Sequence, residues 1–160
     1  MRRKKHGYFN TEDGAPEPLA VTVRHRVGFG EVDAMAIAWH GRYPQYFALA
    51  SEELCRRIGL SYRRYYESDL RAPIVQFHVD FHAPVRLDEE IQITARLVWS
   101  EAARLNTEFE IRREGGTLAA SGYTVQMFVV GQTGEPCVLA PALLAECQRR
   151  WKAGEFSELQ

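Results

Sequence analysis

Alternation of apolar and polar residues recurs along this chain and predicts β-strands. The first alternating segment, 19–29, is rich in β-branched residues, and His25 falls on its apolar face, where a hydrogen-bonded core histidine is favoured over a functional one. Four later segments have the same period of two, at 74–83, 91–99, 105–111 and 118–130. Because these four follow one another through short polar turns, they are predicted to form antiparallel strands.

A helical period of three to four residues appears once over a long stretch, at 43–58. Pro44 is tolerated only in the first turn of a helix, and Gly59 is well suited to end one. Pro141 is suited to open a second, short helix near the C-terminus. With one strand, one long helix and four strands in order, the fold class predicted is α+β, a curved antiparallel sheet of about five strands wrapped around one long central helix.

The composition is that of an ordinary globular protein and gives no sign of a cofactor. The 160 residues suit one domain at 19–150, preceded by a flexible arm at 1–18 and followed by a tail at 151–160. A net charge of −1 argues against nucleic acid or an anionic membrane as partner, and no segment predicts membrane insertion. Three cysteines without metal-ligand spacing favour a reducing, cytoplasmic location.

The candidate chemistry lies at 27–47, between the first strand and the helix. Asp33 and His40 stand there among small and apolar residues. A carboxylate in such surroundings is costly to bury unless it is paired, hydrogen-bonded or used in a reaction. From this stretch alone, a catalytic carboxylate and a turn or capping aspartate are equally good interpretations.

Asp33 is followed seven positions later by His40, and then by Tyr43 and Phe47 along the predicted helix. The later stretch 81–91 reads FHAPVRLDEEI. In this order, the motifs resemble the hotdog-fold hydroxybenzoyl-CoA thioesterase family and its bacterial acyl-CoA thioesterase relatives, over about residues 21–141. Two positions depart from the family's pattern. Ala36 replaces a usual glycine, which bears on the shape of the loop, and Phe29 replaces a frequent tyrosine that could hydrogen-bond Asp33 or the substrate.

The resemblance implies hydrolysis of a short- or medium-chain or aromatic acyl-CoA, in which Asp33 attacks the thioester carbonyl or activates water. The amide of His40, or a neighbouring one, would polarise the carbonyl oxygen at the helix start, while the His40 ring would orient Asp33 or contact substrate. Coenzyme A is then part of the substrate, and a dimer of dimers with sites between subunits is implied. The residues assigned to substrate binding are Trp39, Gly41, Tyr43, Phe47 and Phe77, although for Phe47 and Phe77 a core role is the stronger alternative.

Other interpretations stay open at this level. The thioester could be held by an acyl-carrier protein, or the chain could be a non-catalytic acyl-binding module. A hotdog dehydratase is disfavoured because the run after His40 lacks the Phe-Pro-Gly pattern of that class. No metal is predicted, although His78, Asp80 and His82 share one strand face. Phosphate contacts could come from several basic residues, namely Arg86, Arg104, Arg112, Arg113 and the cluster at 2–5.

Overall fold

A five-stranded antiparallel sheet forms the body of the molecule, in a computed structural model that describes residues 7–160. The basic cluster at 2–5 lies outside the described residues. The strands follow the order β1-β4-β5-β6-β3, which places the first strand at one edge and the third at the other. Their bounds are β1 Leu19–Arg26, β3 Ile74–Phe81, β4 Glu90–Val98, β5 Arg104–Arg112 and β6 Leu118–Met127.

The long helix α1, Tyr43–Arg57, confirms the predicted central helix and ends one residue before the predicted end. Pro44 lies in its first turn, and Gly59, just beyond its end, has a positive φ of 81°. The helix packs on the inner face of the sheet, mainly over β1 and β4. The predicted fold class is therefore confirmed: one apolar helix stripe is buried against one apolar sheet face.

Close contact between helix and sheet depends on a glycine in β6. A Cβ atom at Gly122 would lie 3.0 Å from the ring of Phe47 and 2.1 Å from the carbonyl oxygen of His78. Phe47 can therefore lie flat on the sheet, where its ring stacks on Phe109 with centroids 4.2 Å apart. This stack joins α1 to the middle strand of the sheet.

The sequence pattern predicted the smaller elements less well. A short helix α2, Tyr62–Glu67, follows α1 and is capped by Ser61. The predicted strand 118–130 is interrupted after Met127, and its end forms a separate strand β7, Val129–Val130, paired with β2, Leu70–Arg71. The predicted strand 19–29 is also too long, because Phe29–Glu31 turns into a 3-10 helix and leaves Phe29 exposed.

Both ends of the described chain are in contact with the domain. The Tyr8 hydroxyl donates to Asp80 Oδ2 at 2.6 Å on the outer face of the sheet. The C-terminal helix α3, Ala142–Lys152, buries Trp151, whose indole N–H donates to the Glu17 carbonyl at 2.9 Å. Burial continues to Phe156 and Leu159, so the core extends beyond the domain end predicted at residue 150.

One face of the edge strand β3 is apolar and uncovered in the protomer. Val75, Phe77 and Phe81 are 51%, 41% and 56% exposed, although they point to the same side of the sheet as the core. The reason is geometric, since α1 crosses the same face of the sheet near its other edge, over β1 and β4. Within residues 7–160, no helix is long and apolar enough to cross a membrane.

Candidate active site

Asp33 lies in a tightly hydrogen-bonded loop at 27–42, called the Asp33 loop below. Its amide donates to the Ile37 carbonyl at 2.9 Å, and its own carbonyl accepts from the Ala36 amide at 3.0 Å. The side-chain Oδ1 accepts from the Met35 amide at 2.8 Å. The second carboxylate oxygen makes no hydrogen bond to the described residues, so it is free to meet a substrate or water.

Ala36 adopts the backbone conformation that glycine favours, with φ of 58°. A left-handed residue with a Cβ atom costs roughly 1–2 kcal/mol, and the surrounding hydrogen bonds hold it there. One of them joins its carbonyl to the amide of Leu87 at 3.1 Å. The replacement of the usual glycine by Ala36 has therefore not removed the left-handed turn.

The turn between β3 and β4 supports the loop from one side. The amide of Ala38 donates to the Val85 carbonyl at 2.7 Å, and Ile37 forms a β-bridge with Arg86. This is the stretch that the sequence singled out at 81–91, and the structure places it directly against the Asp33 loop.

His40 opens the helical segment that leads into α1. A 3-10 helix spans His40–Arg42, and α1 begins at the next residue. The first amides of such a segment have no acceptor inside the helix, and the helix dipole gives this end partial positive charge. The amides of His40 and Gly41 are thus donors available to an oxygen that gains negative charge.

Asp33, His40 and Tyr43 line one open groove of about 390 Å³, called the Asp33 groove below. Burial raises the pKa of Tyr43, which keeps its phenol protonated at neutral pH. The strand β3 and the turn after it supply a second wall that includes His82, which sequence reasoning had considered only as a metal ligand. The other lining residues are Met35, Ile37, Ala38, Phe81, Ala83 and Pro84.

The remaining predicted substrate contacts lie outside this groove in the protomer. Trp39 is 47% exposed, and its indole covers Gly41, where a Cβ atom would approach the ring to 2.3 Å. Phe47 is buried in the stack described above, and Phe77 is half-exposed with its ring centroid 5.5 Å from that of Phe47. Phe29 is 86% exposed and does not line the groove either.

The candidate metal ligands on β3 do not converge on one point. His78 Nε2 lies 3.0 Å from Asp80 Oδ2, whereas His82 Nε2 contacts the Ser121 hydroxyl at 2.9 Å. Within residues 7–160, no group of three or more histidine, cysteine, aspartate or glutamate side chains is placed to hold a metal ion. The groups of the groove that can take part in chemistry are its carboxylate, its imidazoles and its amide donors.

An open, curved antiparallel sheet around one long helix is the hotdog fold. A family profile described as "Thioesterase-like superfamily" matches residues 27–147, which is most of the domain. The chain belongs to this superfamily of thioester hydrolases, which confirms the resemblance identified in the sequence. No functionally curated protein matches it.

Solved structures share the fold. A 1,4-dihydroxy-2-naphthoyl (DHNA)-CoA thioesterase from Staphylococcus aureus superposes with a TM-score of 0.76 at 20% identity, over 87% of this chain and 95% of that one. A 1,4-dihydroxy-2-naphthoyl-CoA thioesterase from Synechocystis gives 0.72 at 18% identity, over 81% and 96%. Another Staphylococcus aureus protein, solved in complex with CoA, gives 0.74 at 15% identity, over 91% and 87%. At these identities the likeness concerns the fold.

Proposed function

We propose that this protein hydrolyses an acyl-CoA thioester in the Asp33 groove. The observation that carries the proposal is the convergence of the Asp33 carboxylate, the first amides of the central helix and the Tyr43 side chain on one groove. Thioester hydrolysis requires a nucleophile or base and a donor for the oxygen of the tetrahedral intermediate. Asp33 and His40, which could supply these two functions, both line the groove.

Two routes use the same groups. In the first, Asp33 removes a proton from water, the resulting hydroxide adds to the carbonyl carbon, and the C–S bond breaks to release the thiol and the acid. In the second, a carboxylate oxygen adds to the carbonyl, the thiolate leaves, and water hydrolyses the mixed anhydride. In both routes the amides of His40 and Gly41 would hold the carbonyl oxygen as it becomes negative.

Coenzyme A carries phosphates, and Arg86 is the basic residue best placed to meet them. It is exposed, and its backbone is bridged to Ile37 in the groove wall. Two other arginines suggested by the sequence are already engaged, since Arg112 pairs with Glu110 and Arg113 with Glu89. Structures of CoA thioesterases with this fold support coenzyme A as the carrier.

The apolar part of the groove favours a short- or medium-chain or aromatic acyl group. Met35, Ile37 and Phe81 supply that surface, and the two histidines would contact polar substituents. A second copy of the chain would complete the site along β3, whose outward edge and exposed phenylalanines resemble half of an interface. The homotetramer and the cytoplasmic location stay predictions.

The test is a panel of acyl-CoA and acyl-carrier-protein thioesters, assayed by release of free thiol. Turnover of CoA thioesters that is at least tenfold more efficient than turnover of carrier thioesters supports the proposal. The reverse order would favour the carrier-protein alternative, and no turnover on any thioester would contradict catalysis. Label found in Asp33 after a single turnover in ¹⁸O-water would establish the covalent route, because general-base catalysis leaves both Asp33 oxygens unlabelled.

A further inference from the structure

A partly buried carboxylate lies at the base of the Asp33 loop, outside the groove. Glu31 Oε2 accepts from the Gly28 amide at 2.5 Å, and Oε1 lies 2.7 Å from His25 Nε2. Burial alone would raise the pKa of Glu31, but the Gly28 amide and His25 outweigh it and hold that pKa below its ordinary value. Glu31 is therefore an anion joined to β1 through His25 and to the start of the loop through Gly28.

The backbone of Glu31 holds the other end of the same loop. Its carbonyl accepts from the amide of Trp39 at 2.9 Å, directly before His40. Next to it, Val32 and Ala38 form an isolated β-bridge. Backbone hydrogen bonds thus join the two ends of the segment that carries Asp33. Glu31 is at one end, and Trp39, the residue before the amide donors, is at the other.

The start of α1 is tied to the same base. Arg42 Nη2 donates to the Gly30 carbonyl at 2.8 Å. The Tyr46 ring, 1% exposed, lies 5.4 Å from the His25 ring, and its hydroxyl is buried without a hydrogen bond to the described residues. Burial, followed by the charge of Glu31, raises the pKa of Tyr46, so this hydroxyl stays neutral beside the carboxylate.

We infer that Glu31 is a positioning residue, which fixes Asp33 relative to the His40 and Gly41 amides through its bonds to Gly28, His25 and Trp39. The inference rests on the proposed function for its catalytic consequence. The carboxylate and the amide donors must act on the same carbonyl group, and a misplacement of about 1 Å can lower a rate by on the order of 10²-fold. Glu31 itself does not line the groove, so its loss would change geometry rather than substrate contacts.

Glu31→Gln is the direct test, because it keeps the shape of the side chain while removing its charge. We expect kcat to fall by on the order of 10²-fold with KM changed less than twofold. Glu108→Gln is a matched control, since Glu108 is a buried carboxylate that pairs with Arg96 and accepts from the Phe9 amide, on the sheet face opposite α1. It should lose stability but keep kcat within threefold.

A second readout does not depend on catalysis. Trp39 is half-exposed, whereas Trp99 and Trp151 are buried. The part of the acrylamide quenching of tryptophan fluorescence that is lost in Trp39→Phe therefore comes from Trp39 and reports on the exposure of the loop. The Trp39 quenching constant should rise at least 1.5-fold in Glu31→Gln and stay unchanged in Glu108→Gln. If the wild type hydrolyses no thioester, the proposed function fails, and the quenching constant alone decides the positioning role.

A second variant pair guards against simple unfolding of Glu31→Gln. His25→Gln keeps a donor for Glu31 and should retain kcat within threefold, whereas His25→Leu should lower it like Glu31→Gln. Unchanged Trp39 quenching in Glu31→Gln would overturn the inference. Equal loss of kcat in the two His25 variants, or in Glu108→Gln, would also overturn it.

Discussion

The Asp33 side chain accepts a hydrogen bond from the Met35 amide through Oδ1, at 2.8 Å. This is the local bond that aspartate and asparagine make equally well in turns. The other oxygen makes no hydrogen bond to the described residues. One carboxylate oxygen therefore shapes the loop, while the other is available for chemistry.

Asp33→Asn should separate these two roles. Asparagine keeps the acceptor for Met35 but removes the charge, so we expect kcat for thioester hydrolysis to fall by on the order of 10³-fold. The free energy of unfolding should change by less than about 0.5 kcal/mol. Asp69→Asn is the control, because Asp69 likewise lies outside the helices and strands but does not line the groove. Unchanged kcat in Asp33→Asn would refute the catalytic assignment.

The left-handed conformation of Ala36 predicts opposite effects for two substitutions. Ala36→Gly removes the clash of the Cβ atom and should raise the free energy of unfolding by about 0.5–1 kcal/mol, after the entropic cost of glycine. Ala36→Val adds β-branching at a positive φ of 58° and should lower it by about 1–2 kcal/mol. Urea denaturation measures both, and a valine variant as stable as the glycine variant would contradict the assigned backbone.

Phe47 offers a test between core and substrate roles. Its ring is stacked on Phe109 and 1% exposed, so Phe47→Ala should lower the free energy of unfolding by about 3–5 kcal/mol. The milder substitution Phe47→Leu should lower the free energy of unfolding by about 1 kcal/mol and change KM less than twofold. Thermal unfolding and initial rates give both numbers. A tenfold rise in KM without loss of stability would restore the predicted substrate contact.

The pH dependence of stability should identify Glu31. Because the folded-state pKa of Glu31 is lowered, its anion stabilises the folded protein above pH 4.5, the ordinary value. That contribution is lost progressively as pH falls through the folded-state pKa. The difference in unfolding free energy between wild type and Glu31→Gln should accordingly be largest near neutral pH and shrink below pH 4.5. If the difference in unfolding free energy grew on acidification, the lowered pKa of Glu31 would be contradicted.

The C-terminal segment is expected to be structural. Truncation after Arg150 removes Trp151, Phe156 and Leu159 from the core and should cost more than about 3 kcal/mol, the typical value for losing one buried tryptophan side chain. Removal of the exposed Gln160 alone is the control and should be neutral. Circular dichroism melts would show the difference. If the protein truncated after Arg150 kept its full stability, the domain end predicted from the sequence at residue 150 would be supported.

The main elements could be predicted because their periodicities are local. The 43–58 helix and the strands follow from side-chain spacing, and Pro44 and Gly59 restrict the backbone by themselves. The motif at Asp33 and the 81–91 stretch indicated the family. The β2–β7 pair was missed because it joins segments that are far apart in the sequence.

The composition of the groove could not be predicted in the same way. Asp33, His40 and Tyr43 lie within eleven consecutive positions of the sequence, and all three line the groove. His82 reaches the groove from another strand, and Phe47 is drawn into the core by Phe109. The local sequence pattern does not single out Glu31, because its contact with His25 of β1 forms only on folding.

By itself, then, the sequence determined the class of fold, the central helix and the carboxylate at its entrance, because short-range spacing and backbone restriction are written in neighbouring residues. Only the tertiary structure decided which side chains share the groove, which are buried and what holds the Asp33 loop. Those relations join residues far apart in the chain, and they exist only once the sheet and α1 pack together.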